Sequence, residues 1–507
     1  MVISLWFHLD ERGATTATEA RMQKTRIICT IGPATESYEM LQKMHEAGMT
    51  IARLNMSHGD HDFHAKVIQH IKTLNKKVKF PIPILLDTQG PAIRTGNLSN
   101  ELDLRQGAIV SVTTRGQMDV EESSIHIDYE DLLEQVNVGD KITVDNGLIN
   151  LEVLEKQERV MRCRVLDGGL LKSKRHVNLP GIRVNLPAIT QKDTKDILFG
   201  LERDVDFIAL SFVREAADIQ QLKALMGEKV GRVKIIAKIE DQEGVRNLEE
   251  IIKESDGIMV ARGDLGVEIN IEDLPNVQRR IVQLCAEHGK RVIVATHLLE
   301  SMIHNPHPTR AEVTDVANAI YEEVDAVMLS GETTVGKYPE KCVEYLRKIA
   351  LKSETIPGLR FAKQLRDAGN KQQLAAAAVQ LAEGVNAKGI VVITRRGLMA
   401  DLVANCRPFS TDIYAFTNMS QPRRTMMLNR GVFPFKIDFS SDPEKTLQTA
   451  FRILKDREQF QAGDKVVIIS DVLAQQRVDS IQIRDVPSDD SSSDTTPATG
   501  AVSSSIG

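Results

Sequence analysis

The residues best placed by type and spacing to do chemistry lie in VKIIAKIEDQEG, residues 233–244. Val233, Ile235, Ile236, Ala237 and Ile239 form an apolar, β-branched run, the pattern of a strand buried on both faces in a parallel sheet. Lys238 and Glu240 close it two residues apart, so on a strand an ammonium and a carboxylate leave one face together at the C-terminal edge. A second run, GIMVARGDLG (257–266), closes with Arg262, Gly263 and Asp264. Two carboxylates and a lysine can thus converge, and hard oxygen donors suit Mg²⁺, which takes one or two carboxylates and leaves other positions to water and substrate phosphate. Arg53, Asn55 and Ser57, spaced by two, share a face on another run. A lone Lys–Glu pair at this spacing is more often an exposed ion pair, so the surrounding elements must carry the reading.

Such groups need strand ends gathered at one edge. From Thr25 to Ser330 eight short apolar runs alternate with helical patterns: 25–32, 50–58, 82–90, 207–212, 233–240, 257–264, 291–298 and 326–332. This rhythm predicts an α/β fold built on a (β/α)₈ TIM barrel, whose active site is made by the C-terminal ends of its strands. Residues 93–187 are too long for one helix and alternate as short strands, which predicts an inserted all-β domain, a β-barrel lid, between 22–92 and 188–356. A lid over that end would expel water from the site. After a linker, residues 371–486 read as a C-terminal doubly wound α/β regulatory domain. Thr394, Arg395, Arg396 and Gly397 fall between its first strand and the next helix, where an anion can be held.

Composition sets limits. The chain of 507 residues is 42% hydrophobic and 26% charged with a formal charge of −6. Without a basic run, no nucleic-acid partner is expected. No apolar run approaches the roughly 18 residues of a membrane span, so no membrane partner is expected. Five scattered cysteines without metal spacing favour reduced thiols and a cytoplasmic setting. Residues 1–21 read as a flexible tail, with Met22 as an alternative start, and the Ser, Thr and Asp-rich 487–507 as a disordered one.

The ordered stretches TRIICTIGPAT, ARLNMSHG, LLDTQGPAIRTG, HVNLPG, KIEDQEGV, MVARGDLGVE, LLESMI, PTRAEVTDVANAI and LSGETTVGKYP resemble pyruvate kinase over roughly residues 22–485. The resemblance implies transfer of phosphate from phosphoenolpyruvate to ADP, followed by protonation of the pyruvate enolate, as the final step of glycolysis. It implies Mg²⁺, with Mn²⁺ as a substitute, on Glu240 and Asp264, and K⁺ on Asn55, Ser57, Asp87 and Thr88. Lys238 would stabilise the phosphoryl group in transit, Arg53 would contact the substrate phosphate, Gly263 would offer its backbone N–H, and Thr296 would take part in protonation, relaying from water with Ser330 and Glu332 as further candidates. Asn55, His58, Arg94 and Arg175 match nucleotide-contacting positions. Phe212 reads as packing. A homotetramer and a phosphorylated effector at Thr394–Gly397 are also implied.

The sequence departs from the family pattern at Gln89 and Ala92, where basic and Glu or Lys residues are usual, which bears on K⁺ dependence. His297 replaces Gln, and would face away from Thr296 if the strand continued. Arg175 replaces Lys, and Thr394-Arg395-Arg396-Gly397 replaces Thr-x-Ser-Gly. Two other readings stay open: a Mg²⁺-dependent lyase or aldolase acting on pyruvate or oxaloacetate enolates, and a catalytically silent metabolite-binding relative. The first would not need Lys238, the inserted domain or Arg175.

Overall fold

Eight strands close a barrel: β1 (Arg26–Thr30), β2 (Ile51–Asn55), β3 (Ile84–Asp87), β4 (Phe207–Leu210), β5 (Lys234–Ile239), β6 (Gly257–Ala261), β7 (Arg291–Ala295) and β8 (Ala326–Leu329). The computed structural model describes residues 22–114, 124–157, 160–182, 184–366, 369–470 and 480–488; the tails read as flexible (1–21) and disordered (487–507) lie outside these, except 487 and 488. All eight pairings are parallel; seven join strands that follow one another along the chain and the eighth closes β8 onto β1. Alternation sorts the strand residues: Ile28, Ile51, Leu85, Phe207, Ile236, Met259 and Ile293 fill the barrel interior, while Ile27, Leu86, Ile208, Ile235, Ile258 and Val292 pack outward on the helices. Truncating one such side chain to alanine costs about 2–5 kcal/mol.

The strands stop short of the predicted runs. β5 ends at Ile239 rather than 240, β2 at Asn55 rather than 58, and β7 at Ala295 rather than 298. Their polar tails leave the ladder and turn, and those turns form the barrel mouth. The strand at Gly257 likewise gives way at Arg262 to the helix Arg262–Glu268.

Between β3 and β4 lies the all-β insertion. Its six-stranded sheet runs Val177–Asn178, Lys141–Val144, Ile149–Lys156, Val160–Asp167, Ile109–Thr113 and Ser124–His126, beside a two-stranded sheet of Leu102–Leu104 and Gly169–Leu171. The two edges of the larger sheet are linked through residues 94–95 by single bridges, Arg94 to His176 and Thr95 to Ile127, so closure is partial where a β-barrel was expected. One carboxylate secures the insertion's base: buried Asp193 accepts the Gln89 and Gly90 N–H groups on one oxygen (3.0 and 3.1 Å) and the Thr190 N–H and hydroxyl on the other (3.0 and 2.6 Å). Thr190 and Asp193 also form the capping box of helix Gln191–Glu202.

The C-terminal domain is a five-stranded sheet in the order Val432–Lys436, Asp412–Thr417, Gly389–Ile393, Lys465–Ser470 and Ser480–Asp485; the last is antiparallel, the others parallel. Separate apolar clusters cover its two faces, as a doubly wound sheet requires. It docks under the barrel's N-terminal floor through charge. Arg407 grips Asp325 with both guanidinium ends (2.6 and 2.5 Å), and Asp325 also accepts the Val292 and Arg430 N–H groups (3.0 and 3.2 Å). Arg291 reaches down to Asn429 and Asn405 (2.6 and 2.8 Å). Among the described residues no helix is long and apolar enough to cross a membrane, and the five cysteines are free thiols.

Candidate active site

At the mouth the strand ends of β2, β3 and β5 bring four charges together. Lys238 stands two residues beyond the interior Ile236 and so points into the barrel. Its ammonium lies 3.0 Å from Asp87, 3.0 Å from Glu240 and 2.7 Å from the Ser211 hydroxyl. Asp87, fully buried, takes the Arg53 Nε at 2.6 Å on its other oxygen, and Arg53 Nη1 donates to the Thr30 hydroxyl at 2.8 Å. Glu240 lies one residue past the strand, and its second oxygen accepts the Phe212 N–H at 2.7 Å.

Burial dominates the electrostatics. It would push Lys238 toward the neutral amine, but the Asp87 and Glu240 carboxylates hold it charged, above its ordinary value. Burial alone would raise Asp87; Arg53 and Lys238 hold it below the usual carboxylate range. Burial pushes Glu240 up to about 7, against the pull of Lys238 and with the push of Asp264 and Asp87. A second carboxylate contributes to the push on Glu240: Asp264, half-buried in the first turn of helix Arg262–Glu268.

Across the mouth, Thr296 has φ 69° and His297 φ 55°, both left-handed. For a β-branched residue this is strain, of order 1–3 kcal/mol. The Thr296 hydroxyl accepts the Gly263 N–H (2.7 Å) and donates to the Ala295 carbonyl (2.6 Å), while Arg262 Nη2 holds the Thr296 carbonyl at 2.7 Å. Because the strand ends at Ala295, the alternation argument for His297 fails; the exposed ring lies 3.6 Å from Glu300. Glu332 accepts the Leu299 and Ser330 N–H groups (3.1 and 2.8 Å), which fixes loops, whereas the buried Ser330 hydroxyl has no partner among the described residues.

Asn55 and Asp87 are register partners on β2 and β3. Ser57 does not share their face: it lies in the turn after β2, where its N–H donates to Asn55 Oδ1 at 3.1 Å. Thr88 faces Ser211, accepting from it on both hydroxyl and carbonyl (3.0 and 2.7 Å). Arg53, Asn55 and His58 line a cavity of about 620 Å³ with Pro33, Phe63 and Ser330. Arg94 and Arg175 do not line it. They sit on the insertion, Arg94 donating to the Lys174 carbonyl at 3.1 Å and Arg175 standing 3.5 Å from Asp145. Far below, Arg395 and Arg396 are exposed, Thr394 is buried with a hydroxyl that has no partner among the described residues, and Gly397 caps helix Leu398–Asn405 at φ 88°.

One site residue, Ser211, went unread, and Phe212 and Arg262, read as packing and as a strand end, take roles that the sequence did not assign them. Ser211 bridges Lys238 to the Thr88 carbonyl, the Phe212 backbone positions Glu240 from a left-handed φ of 52°, and Arg262 holds the Thr296 turn. Ser211 carried a signal, a polar residue closing the apolar run FIALSF. The backbone conformations carried none.

Comparison with known proteins agrees with this architecture. The family described as pyruvate kinase, barrel domain, matches residues 22–343, and the pyruvate kinase alpha/beta domain matches residues 372–483. Plastidial pyruvate kinase 2 of Arabidopsis thaliana is 41% identical over 472 residues, 92% of this chain and 81% of its own. A pyruvate kinase of Staphylococcus epidermidis is 41% identical over 89% of this chain and 78% of its own, and one of Dictyostelium discoideum 42% identical over 89% and 91%. With both domain families matched and this identity over most of its length, the chain belongs to the pyruvate kinase family.

Proposed function

We propose that the chain transfers the phosphoryl group of phosphoenolpyruvate to ADP and protonates the resulting enolate, giving pyruvate and ATP as the final step of glycolysis. The observation that carries this reading is Lys238, buried yet held charged between Asp87 and Glu240 beside the Arg53 guanidinium. A compact ammonium in a water-poor site stabilises charge on a phosphoryl group in transit. Arg53, with Nε and Nη1 engaged by Asp87 and Thr30, turns its remaining donors to the substrate phosphate.

Glu240 and Asp264 fit Mg²⁺. Among the described residues no group of three or more His, Cys, Asp or Glu side chains forms a metal cage, and two carboxylates completed by water and substrate oxygens are what this ion uses. Burial, with a smaller push from Asp264 and Asp87, raises Glu240 against the pull of Lys238, and a divalent cation, Mg²⁺ or Mn²⁺, would favour its charged form. When bound, the ion would supply Lewis-acid stabilisation of the charge on the transferring phosphoryl group. K⁺ is assigned to the oxygens of Asn55, Ser57, Asp87 and Thr88, supported by the register pairing of Asn55 with Asp87.

ADP is assigned to the cavity lined by Asn55 and His58, with Arg94 and Arg175 reaching it as the insertion closes. Thr296 acts at the enolate: its hydroxyl, already polarised by the Gly263 N–H, relays a proton from water. Gly263 is also assigned to substrate through its backbone N–H, which would give up its bond to the Thr296 hydroxyl to make that contact. Thr394, Arg395, Arg396 and Gly397 are assigned to a phosphorylated effector, supported by two exposed guanidiniums beside an unpartnered hydroxyl. We place the chain in the cytoplasm, in keeping with its free thiols, as a homotetramer.

The test is formation of pyruvate and ATP from phosphoenolpyruvate and ADP, with and without Mg²⁺ and K⁺. ATP formation that requires Mg²⁺ supports the reading and separates it from a lyase, an aldolase and a silent relative; no ATP from well-folded protein sinks it. Equal activity with Na⁺, K⁺ or neither removes the K⁺ assignment, which Gln89 and Ala92 make the point of interest.

A further inference from the structure

We propose that the seam between the barrel floor and the C-terminal domain is a binding site for a small phosphate monoester, separate from the Thr394–Gly397 loop. A cleft of about 740 Å³ opens there, within the roughly 300–1,000 Å³ of metabolite sites. Lys72 comes from helix His61–Leu74, Lys76 from the turn after it, and Arg232 from the turn before β5. Arg423 and Arg424 come from helix Ser420–Thr425 of the other domain.

The lining carries five cations and two carboxylates, and both carboxylates are already engaged. Asp206 holds Arg424 Nε at 2.7 Å and accepts the Ile84 N–H at 3.0 Å; Asp204 pairs with Arg232 at 3.2 Å. Lys72 and Lys76 form no ion pair among the described residues. Arg423 donates to the Pro434 carbonyl at 3.3 Å and to the Lys79 carbonyl, hydrogen bonds without a counter-charge. Burial and the neighbouring Arg457 accordingly hold Arg423 below its ordinary value.

Three uncompensated cations facing one cleft attract a dianion, and phosphate oxygens accept from ammonium and guanidinium donors with charge-assisted strength. Pro81, Ile82 and Met419 give the body of a monoester an apolar wall. Because both domains contribute donors, occupancy stabilises their docked arrangement over any splayed one. The Gln421 side chain already crosses the seam to the Arg232 carbonyl.

The experiment uses the full chain carrying Arg395→Ala and Arg396→Ala, which silences the effector loop, and measures calorimetric binding of glucose 6-phosphate, inorganic phosphate and glucose. The site predicts saturable binding of glucose 6-phosphate, competition by inorganic phosphate and no binding of glucose. Adding Lys72→Glu and Lys76→Glu should weaken glucose 6-phosphate at least tenfold while turnover without effector is unchanged. Absence of saturable binding in the loop-silenced protein, or affinity unaltered by the two charge reversals, overturns the proposal.

Discussion

The two ends of the barrel both bury charge, but in opposite states of completion. At the floor, Asp325 is saturated: Arg407 grips it twice, the Val292 and Arg430 N–H groups fill its remaining positions, and although burial pushes its carboxyl up, Arg407 and Arg291 hold it below the usual range. At the mouth the same kinds of groups are left unfinished. Glu240 is pushed up to about 7, the Ser330 hydroxyl is buried without a partner among the described residues, and Phe212 and Thr296 sit in left-handed backbone. Buried charge therefore does not distinguish a site from a joint, and neither does strain alone, since Arg407 also sits in left-handed backbone (φ 49°) and Arg430 Nε is buried without a partner among the described residues. The difference lies in the carboxylate, held down by its partners at the floor and pushed up at the mouth, where a ligand can relieve it.

The comparison can be broken from either end. Lys238→Met should lower kcat for pyruvate formation by about 10³-fold or more, the scale of removing a preorganised charge, while the fold, followed by circular dichroism, persists. At the floor, Asp325→Ala leaves buried guanidiniums unpaired and should cost about 3–5 kcal/mol in denaturant unfolding, with the KM for phosphoenolpyruvate unchanged; a large KM effect would merge the two ends functionally. Thr296→Ala should slow enolate protonation roughly 10²-fold and phosphoryl transfer much less, read by separating solvent-proton exchange of pyruvate from ATP formation. Equal losses in both would remove its assigned role.

The smallest effect concerns the insertion's contact with the mouth. Burial pushes Glu268 up to about 7 although Asn178 of the insertion donates to it at 2.9 Å. With the folded value above the unfolded one, the stability this group contributes is present in full below its ordinary value and is lost as pH rises through 7. Glu268→Gln should therefore gain in Tm relative to the parent as pH moves from 5 to 8; a constant difference would refute the assignment.

The barrel was legible because strands of a parallel sheet are apolar on both faces and read as continuous runs. Its strand ends were read too long: Thr296 and His297 continue an alternating pattern, and nothing in a β-branched residue announces a left-handed turn. Lys238 and Glu240 were legible as neighbours, whereas the counter-ion Asp87 that Lys238 shares with Arg53 is distant in sequence and comes into view only with the register of β2 and β3. The Asp325–Arg407 joint was unreadable for the same reason, since its two halves belong to different domains and no periodicity connects them.

Asp193 carries a last consequence. By tying Gln89 and Gly90 to Thr190 it brings the exit and re-entry of the inserted domain to a single knot. Seen from the barrel, everything between is one loop, and loop-closure entropy grows only with the logarithm of length. A short Gly-rich tether from Gly90 to Thr190 would therefore leave the barrel its full complement of strands, at the loss of the contacts that Glu268 and Arg214 make to Asn178, Val184 and Leu186.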